Sequence, residues 1–170
     1  ETEFGVMLRP DRFDVSKLET PPEHCMIIRI AFYQKDMHLA IDSAQTLKSI
    51  GFDVFLNPIA TSTYSDEDLA TLATEANELT PRGVNIVDTF GALSRQRAHE
   101  VYDILDKELR PEITIGAHTH QNMDLSFTIA QDILEQKPES RDLIIDGSLY
   151  GMGRSPGNLP IELIAEFLND

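Results

Sequence analysis

Six short runs of apolar or β-branched residues recur along the chain and predict six β-strands. The runs begin near residues 4, 26, 54, 84, 113 and 143, so successive starts lie 22 to 30 residues apart. They lack the alternation of polar and apolar positions that a half-exposed strand shows, which is typical of a parallel sheet covered on both faces. The predicted strands are Phe4 to Leu8, Met26 to Ala31, Val54 to Leu56, Val84 to Val87, Ile113 to Ile115 and Leu143 to Ile145.

Amphipathic segments alternate with these strands and predict helices. Side chains that can cap a helix precede four of the segments: Asp36, Ser65, Ser94 and Asp124. Asp68 stands three residues after Ser65, which approximates a capping box. Gly51 is placed to end the first of these helices, and a last helix is expected to begin near Pro160.

The strand and helix alternation favours a barrel over an open sheet. No Gly-rich loop of the kind that dinucleotide-binding folds need follows the first strand. A complete TIM barrel has eight such units in about 250 residues, whereas six strands are visible here. The sequence therefore predicts an incomplete TIM (β/α)8 barrel in which residues 1–170 supply strands three to eight of a single domain and the first two units are absent.

Such a piece would leave two strand edges and the inner face of the sheet uncovered. Because exposed strand edges pair with other chains, we expect self-association, or completion by a missing stretch of chain. A catalytically inactive barrel that serves as a binding module stays open as an alternative.

Charge and composition exclude several other classes of function. The chain has 14 Lys and Arg against 29 Asp and Glu, a net charge of −15, which disfavours binding to nucleic acid and to anionic membrane surfaces. No apolar run approaches the ~20 residues that span a bilayer, and no signal peptide is visible. The single cysteine, Cys25, cannot form an internal disulfide. We expect a cytoplasmic location.

Two histidines follow the fifth predicted strand. His118 and His120 are two residues apart, so on a strand they point to the same face and both imidazoles can reach one metal ion. Chemistry in barrels collects at the carboxyl ends of the strands, which is where this pair lies. The alternative is that hydrogen bonds hold both rings in an ordinary loop.

Two further strand ends carry polar or Gly-rich segments. Asp88 directly ends the fourth strand, where it either orients a substrate or accepts loop amides. The segment 146–160 is rich in glycine and leads into a helix, so it is either an anion site strengthened by Arg154 or a connector whose glycines supply turns.

Four motifs together resemble one family in order and spacing. The chain is similar to the metal-dependent pyruvate aldolases of the HMG-CoA-lyase-like barrels, best known from 4-hydroxy-2-oxovalerate aldolase. The motifs are Val87-Asp88-Thr89-x-Gly91, Gly116-x-His118-x-His120-x-Asn122, Asp146-x-Ser148-Leu149-x-Gly151-Met152-Gly153 and Gly157-Asn158-x-Pro160-x-Glu162.

This resemblance implies a divalent ion, Mn²⁺ or Mg²⁺, and retro-aldol cleavage of a 4-hydroxy-2-oxo acid to pyruvate and an aldehyde. The implied ligands are His118, His120 and Asn158, although Asn158 can instead serve as the cap of the last helix. The family's arginine, aspartate ligand and catalytic histidine follow its first strand, so the catalytic residues are expected upstream of Glu1. The implied substrate contacts are Asp88, Thr89, Asn122, Gly153 and Arg154.

The same resemblance bears on substrate and partner. A small 2-oxo acid is the expected substrate, and an aldehyde dehydrogenase is a possible partner, as in related aldolases. Gln121 and Gln131 depart from the His or Asn that hydroxyoxovalerate aldolases carry. A Claisen-type lyase or synthase that uses acyl-CoA is the rival activity, which the absence of a cysteine around Gly153 weakens.

Overall fold

Six parallel strands form one sheet in the order in which they occur along the chain. The computed structural model describes residues 3–154 and 156–169, and each strand pairs with its sequence neighbour. This half-barrel confirms the prediction of an incomplete TIM-like fold. The strands are β1 (Gly5–Leu8), β2 (Ile27–Phe32), β3 (Asp53–Pro58), β4 (Gly83–Val87), β5 (Thr114–His118) and β6 (Leu143–Asp146).

Five α-helices connect or follow these strands. They are α1 (Met37–Ser49), α2 (Asp66–Leu79), α3 (Arg95–Glu108), α4 (Ser126–Gln136) and α5 (Ile161–Phe167). Single turns of 3-10 helix lie at Val15–Lys17, Gln34–Asp36, Thr61–Thr63 and Leu149–Gly151. Within the described part of the chain, no helix is long and apolar enough to cross a bilayer.

Two of the predicted helix caps form as expected. The Ser65 hydroxyl accepts the backbone N–H of Asp68 at 3.1 Å, and the Asp68 carboxylate accepts the N–H of Ser65 at 3.0 Å, which completes the capping box of α2. The Ser94 hydroxyl accepts the N–H of Arg97 at 3.2 Å at the start of α3. Asp36 precedes α1 but makes no side-chain capping bond.

The prediction that Asp124 caps the fourth helix is wrong. The residue that precedes α4 is Leu125, and Asp124 has a left-handed φ of 54° in the turn before it. The Gln121 side-chain oxygen accepts the N–H of Ser126 at 3.2 Å. A residue of the preceding loop therefore satisfies the amide that an aspartate cap would have bound.

The two faces of the sheet differ in chemistry because side chains alternate along each strand. The outer face is apolar, fully buried and packed beneath α1 to α4, and it includes Ile28, Ile30, Val54, Leu56, Val84, Ile86 and Ile115. The inner, concave face carries polar side chains at the alternate positions: Arg29, Asn57, Asn85, His118 and Asp146. An open hollow of about 390 Å³ lies on this face beside Arg29, Phe55 and Asp146.

Arg141, in the loop before β6, anchors the segment between α3 and β5. Its side chain is 5% exposed and forms an ion pair with Asp106. The guanidinium also donates to four main-chain carbonyls, those of Asp106 at 2.8 Å, Leu109 at 3.1 Å, Arg110 at 3.1 Å and Ile113 at 2.9 Å. The bonds to Asp106 and Leu109 satisfy carbonyls at the end of α3 that the helix itself leaves free, and those to Arg110 and Ile113 hold the loop that leads into β5.

We predict that Arg141→Lys lowers the free energy of unfolding by about 3 kcal/mol, since a single ammonium cannot reproduce a planar fork of donors in a buried site. Urea denaturation measures the change. Arg12→Lys is the matched control, because the Arg12 side chain is 74% exposed and reaches only Asp11, at 4.0 Å. Equal stability of the two variants would contradict this account of Arg141.

Candidate metal centre

The candidate site lies at the carboxyl ends of three neighbouring strands. His118 is the last residue of β5 and stands opposite Asp146, the last residue of β6, in the register of the sheet. His120 follows two residues later and forms an isolated antiparallel bridge with Asn158. The sheet and the loop after β6 thus bring together residues that are up to 40 positions apart in the chain.

The Asp146 carboxylate determines which nitrogen of the His118 ring carries the proton. Its Nδ1 lies 3.0 Å from Oδ2 of Asp146. An ionised carboxylate can only accept a hydrogen bond, so Nδ1 carries the ring proton. The Nε2 lone pair of His118 is then available to a metal ion.

A main-chain carbonyl likewise keeps the ring proton of His120 on Nδ1. Its Nδ1 lies 3.1 Å from the carbonyl oxygen of Gly157, which accepts the proton on that nitrogen. Burial, and next the neighbouring His118, lower the pKa of His120 below its ordinary value. This lowering of the pKa favours the neutral form of His120 that a metal ligand needs. The two ring centroids are 5.2 Å apart and the ring planes are inclined by 71°.

Asn158 presents an unpaired oxygen beside these rings. Its Nδ2 donates to the carbonyl of Met152 at 2.8 Å, whereas its Oδ1 is buried without a hydrogen-bond partner among the described residues. The interpretation of Asn158 as a helix cap is wrong, because Pro160 precedes α5 and no side chain caps that helix. A buried amide oxygen without a partner is costly, so this atom is suited to a ligand that the protein alone does not supply.

Gly153 allows Asn158 to take this position. A Cβ at residue 153 would lie 2.5 Å from Nδ2 and 2.8 Å from Cγ of Asn158. Any larger residue would therefore push the Asn158 amide away. This packing gives Gly153 a structural role beneath Asn158, while its predicted contact with substrate stays a prediction.

The donor set fits a divalent ion. Two neutral imidazole nitrogens and one amide oxygen are of the types that Mn²⁺ and related ions accept, although Mn²⁺ also favours carboxylates. In residues 3–154 and 156–169, no group of three or more His, Cys, Asp or Glu side chains is placed to hold a metal. The candidate ligands among the described residues are therefore two histidines and one amide. A carboxylate ligand would have to come from another part of the protein.

Asp88 and Thr89 lie at the adjacent strand end but are engaged in the loops. Oδ1 of Asp88 accepts the amides of Ala92 at 2.9 Å and Leu93 at 3.1 Å. Burial raises the pKa of Asp88, although these two amide bonds and the nearby histidines oppose the rise. The Thr89 hydroxyl accepts the N–H of Ala60 at 2.8 Å. Asp88 thus holds its own loop and Thr89 joins it to the loop after β3, and their contacts with substrate stay predictions.

The other two residues predicted to contact substrate are exposed. Asn122 lies in the loop after β5, where its backbone nitrogen and Cβ pack against Gly91. Arg154 lies in the loop after β6, and its positive charge is close enough to His120 to lower the pKa of that imidazole slightly. Both side chains are open to solvent, and their contacts with substrate stay predictions.

Sequence patterns did not single out Arg29 and Asn85, which meet Asp146, a residue of the third motif, on the inner face. Nη2 of Arg29 lies 2.7 Å from Oδ2 of Asp146, and Nδ2 of Asn85 lies 3.3 Å from the same oxygen. Burial raises the pKa of Asp146, but the bond from His118 and the charge of Arg29 outweigh it and hold this pKa below its ordinary value. The available signal was a lone polar residue inside each apolar strand, Arg29 among Ile27 to Ala31 and Asn85 among Val84 to Val87.

Comparison with known proteins shows which family and which relatives this chain is similar to. The HMGL-like family model matches residues 31–170. An oxaloacetate decarboxylase of Mycobacterium tuberculosis is 23% identical over 165 residues, which cover 97% of this chain and 47% of that protein. A 4-hydroxy-2-oxovalerate aldolase of Rhodococcus jostii is 27% identical over 139 residues, which cover 82% of this chain and 38% of that protein. The chain thus spans less than half the length of these curated relatives.

Solved structures show the same fold. The N-terminal domain of a candidate aldolase from Bacteroides vulgatus matches with a TM-score of 0.85 at 24% identity, over 99% of this chain and 56% of that one. An HMG-CoA lyase from Bacillus subtilis matches with a TM-score of 0.71 at 14% identity, over 85% of this chain and 56% of that one.

We predict that the double substitution His118→Ala, His120→Ala abolishes Mn²⁺ binding by the complete protein that contains this chain, because it removes both imidazole ligands. Isothermal titration calorimetry measures the affinity. His38→Ala is the control, since His38 is exposed on α1 and outside the site. Equal Mn²⁺ affinity of wild type and double mutant would refute the assignment.

We predict that Asn158→Asp lowers stability without metal by about 1–3 kcal/mol, because a carboxylate cannot donate to the Met152 carbonyl and is left buried. Bound Mn²⁺ should offset that charge, so the metal should raise the melting temperature more in Asn158→Asp than in wild type. Asn169→Asp is the control, since it removes a similar amide-to-carbonyl bond, to Ala165 at 2.7 Å. An identical Mn²⁺ effect in all three proteins would exclude Asn158 as a ligand.

Proposed function

Because the chain belongs to the HMGL-like family, we propose that it forms part of a divalent-metal-dependent carbon–carbon lyase. The observation that carries the proposal is the pair of imidazoles at the carboxyl end of β5, each held through Nδ1 with Nε2 available. An ordinary pair of loop histidines does not require both rings to be held in the same tautomer. The unpaired Oδ1 of Asn158 supplies a third donor.

The proposed reaction acts on a 2-oxo acid. A divalent ion bound there would supply Lewis-acid chemistry toward the carboxylate and keto oxygens of the substrate. His118, His120 and Asn158 would hold that ion, and Arg154 is placed in the adjoining loop to attract the anionic substrate. Asp146 and the Gly157 carbonyl keep the two rings in the required tautomer.

In retro-aldol cleavage of a 4-hydroxy-2-oxo acid, a base takes the proton of the 4-hydroxyl group and the bond between carbons 3 and 4 breaks. The electron pair stays on carbon 3, which is then protonated to give pyruvate, and an aldehyde leaves. The aldolases among the relatives favour this reaction. We assign the base to a part of the barrel outside this chain.

Decarboxylation of oxaloacetate is the second candidate reaction. Here the bond to the departing carboxylate breaks instead, carbon dioxide leaves, and the electron pair again stays on carbon 3 of pyruvate. The observation that favours it is the decarboxylase relative, whose similarity extends over 97% of this chain. Both reactions place the same demand on the site, which is to stabilise negative charge beside a 2-oxo group.

We further propose that two more strand and helix units complete the barrel and contribute a carboxylate ligand, and that the enzyme works in the cytoplasm. An aldehyde product would suit association with an aldehyde dehydrogenase. Cleavage of acyl-CoA substrates is disfavoured because the loop 146–160 has no cysteine.

The complete protein that contains this chain should release pyruvate from 4-hydroxy-2-oxopentanoate only with added Mn²⁺ or Mg²⁺. A coupled assay with lactate dehydrogenase measures pyruvate, with oxaloacetate and an acyl-CoA ester tested in parallel. The double variant His118→Ala, His120→Ala should lose at least 100-fold in kcat/KM, and His38→Ala should lose none. Faster turnover of oxaloacetate would favour decarboxylation, and cleavage of only the acyl-CoA ester would contradict the proposal.

A further inference from the structure

One oxygen atom on the inner face receives three contacts from three other strands. Oδ2 of Asp146, on β6, lies 2.7 Å from Nη2 of Arg29 on β2, 3.3 Å from Nδ2 of Asn85 on β4 and 3.0 Å from Nδ1 of His118 on β5. The Asp146 side chain is 13% exposed. Only His118 among these residues belongs to the proposed ligand set.

The contact with His118 bears directly on metal binding. A neutral imidazole carries its proton on one nitrogen and offers a lone pair on the other. The acceptor beside Nδ1 keeps the proton there, so Nε2 stays a ligand, and the same bond fixes the orientation of the ring. His120 obtains this support from the main-chain carbonyl of Gly157. His118 depends on a side chain.

The remaining contacts hold the Asp146 side chain in place. Arg29 contributes a positive charge, and Asn85 contributes a second donor from a side chain that is completely buried. Gly116 makes room for that amide, because a Cβ at residue 116 would lie 2.1 Å from Oδ1 of Asn85. A buried carboxylate without such partners would be expensive to keep charged.

We propose that Asp146 is the positioning residue of the metal centre, which fixes the tautomer and orientation of His118 while Arg29 and Asn85 fix Asp146. The inference rests on the proposed function, in which His118 binds a divalent ion. Asp146 contacts neither metal nor substrate and acts through the imidazole. Loss of such a supporting contact reduces metal affinity by about 10–100-fold in known sites.

The decisive variant is Asp146→Leu, which removes the acceptor and keeps a side chain of similar size. Nitrogen-15 NMR of the histidine rings, recorded on metal-free protein at pH 8, reports which nitrogen carries the proton. Wild type should show His118 with its proton on Nδ1, and Asp146→Leu should show a mixture, because no acceptor then favours either nitrogen. The Mn²⁺ affinity of Asp146→Leu should fall by about 10–100-fold.

Asp132→Leu is the matched control. Asp132 also joins an arginine and a histidine, with Arg95 at 2.8 Å and His99 at 3.5 Å, but on the outer helices. It should lower the melting temperature and leave the His118 tautomer and Mn²⁺ affinity unchanged. A purely structural role for Asp146 would make the two variants alike in both readouts.

A conservative variant keeps the test decisive if Asp146→Leu does not fold. Asp146→Asn retains an oxygen that can accept from Nδ1, so it should keep the His118 tautomer and bind Mn²⁺ more tightly than Asp146→Ala. An unchanged tautomer in Asp146→Leu, or equal Mn²⁺ affinity of Asp146→Asn and Asp146→Ala, would overturn the inference. If wild-type protein bound no Mn²⁺, the proposed metal site would be refuted instead. The tautomer measurement is made on metal-free protein, so its result does not depend on that site.

Discussion

The partly buried carboxylate of Asp146 is the constraint on which the inner face of this half-barrel depends. A charge in that position is tolerated only with partners that offset its desolvation, and the partners come from β2, β4 and β5. Arg29 reaches Asp146 across the concave side of the sheet, past three intervening strands. Because Arg29 and His118 contact the same oxygen of Asp146, the orientation of the His118 ring depends on contacts made across the curved inner face.

This arrangement explains the contrast between the two faces of the sheet. The outer face buries aliphatic residues beneath the helices and supplies the hydrophobic stabilisation. The inner face contributes less hydrophobic stabilisation because it holds polar groups. Both side-chain polar atoms of Asn57 are buried there without partners among the described residues. Proteins accept such costs where a site needs fixed polar groups.

The fold was accessible from sequence because its signals are local. Mostly apolar runs mark all six strands to within three residues at either end, and the capping box at Ser65 and the cap at Ser94 follow from residues three apart. The pairing of His118 with His120 on one face follows from the two-residue repeat of a strand. The contacts among Arg29, Asn85 and Asp146 were not accessible, because alternation predicts the face of a side chain but not its partner on a distant strand. At Asp124 the error arose because a loop residue, Gln121, accepts the amide that local rules assign to a helix cap. At Asn158 it arose because Pro160 precedes α5, and the Asn158 amide donates to the Met152 carbonyl instead.

The central claim is that one divalent ion is bound between His118 and His120. Crystals of the complete protein grown with Mn²⁺, and measured at the manganese absorption edge, test this claim most directly. The account predicts one anomalous peak within bonding distance of Nε2 of both histidines, with Oδ1 of Asn158 turned toward it and Nδ1 of His118 still bonded to Asp146. A peak at another site, or coordination of either ring through Nδ1, would contradict it.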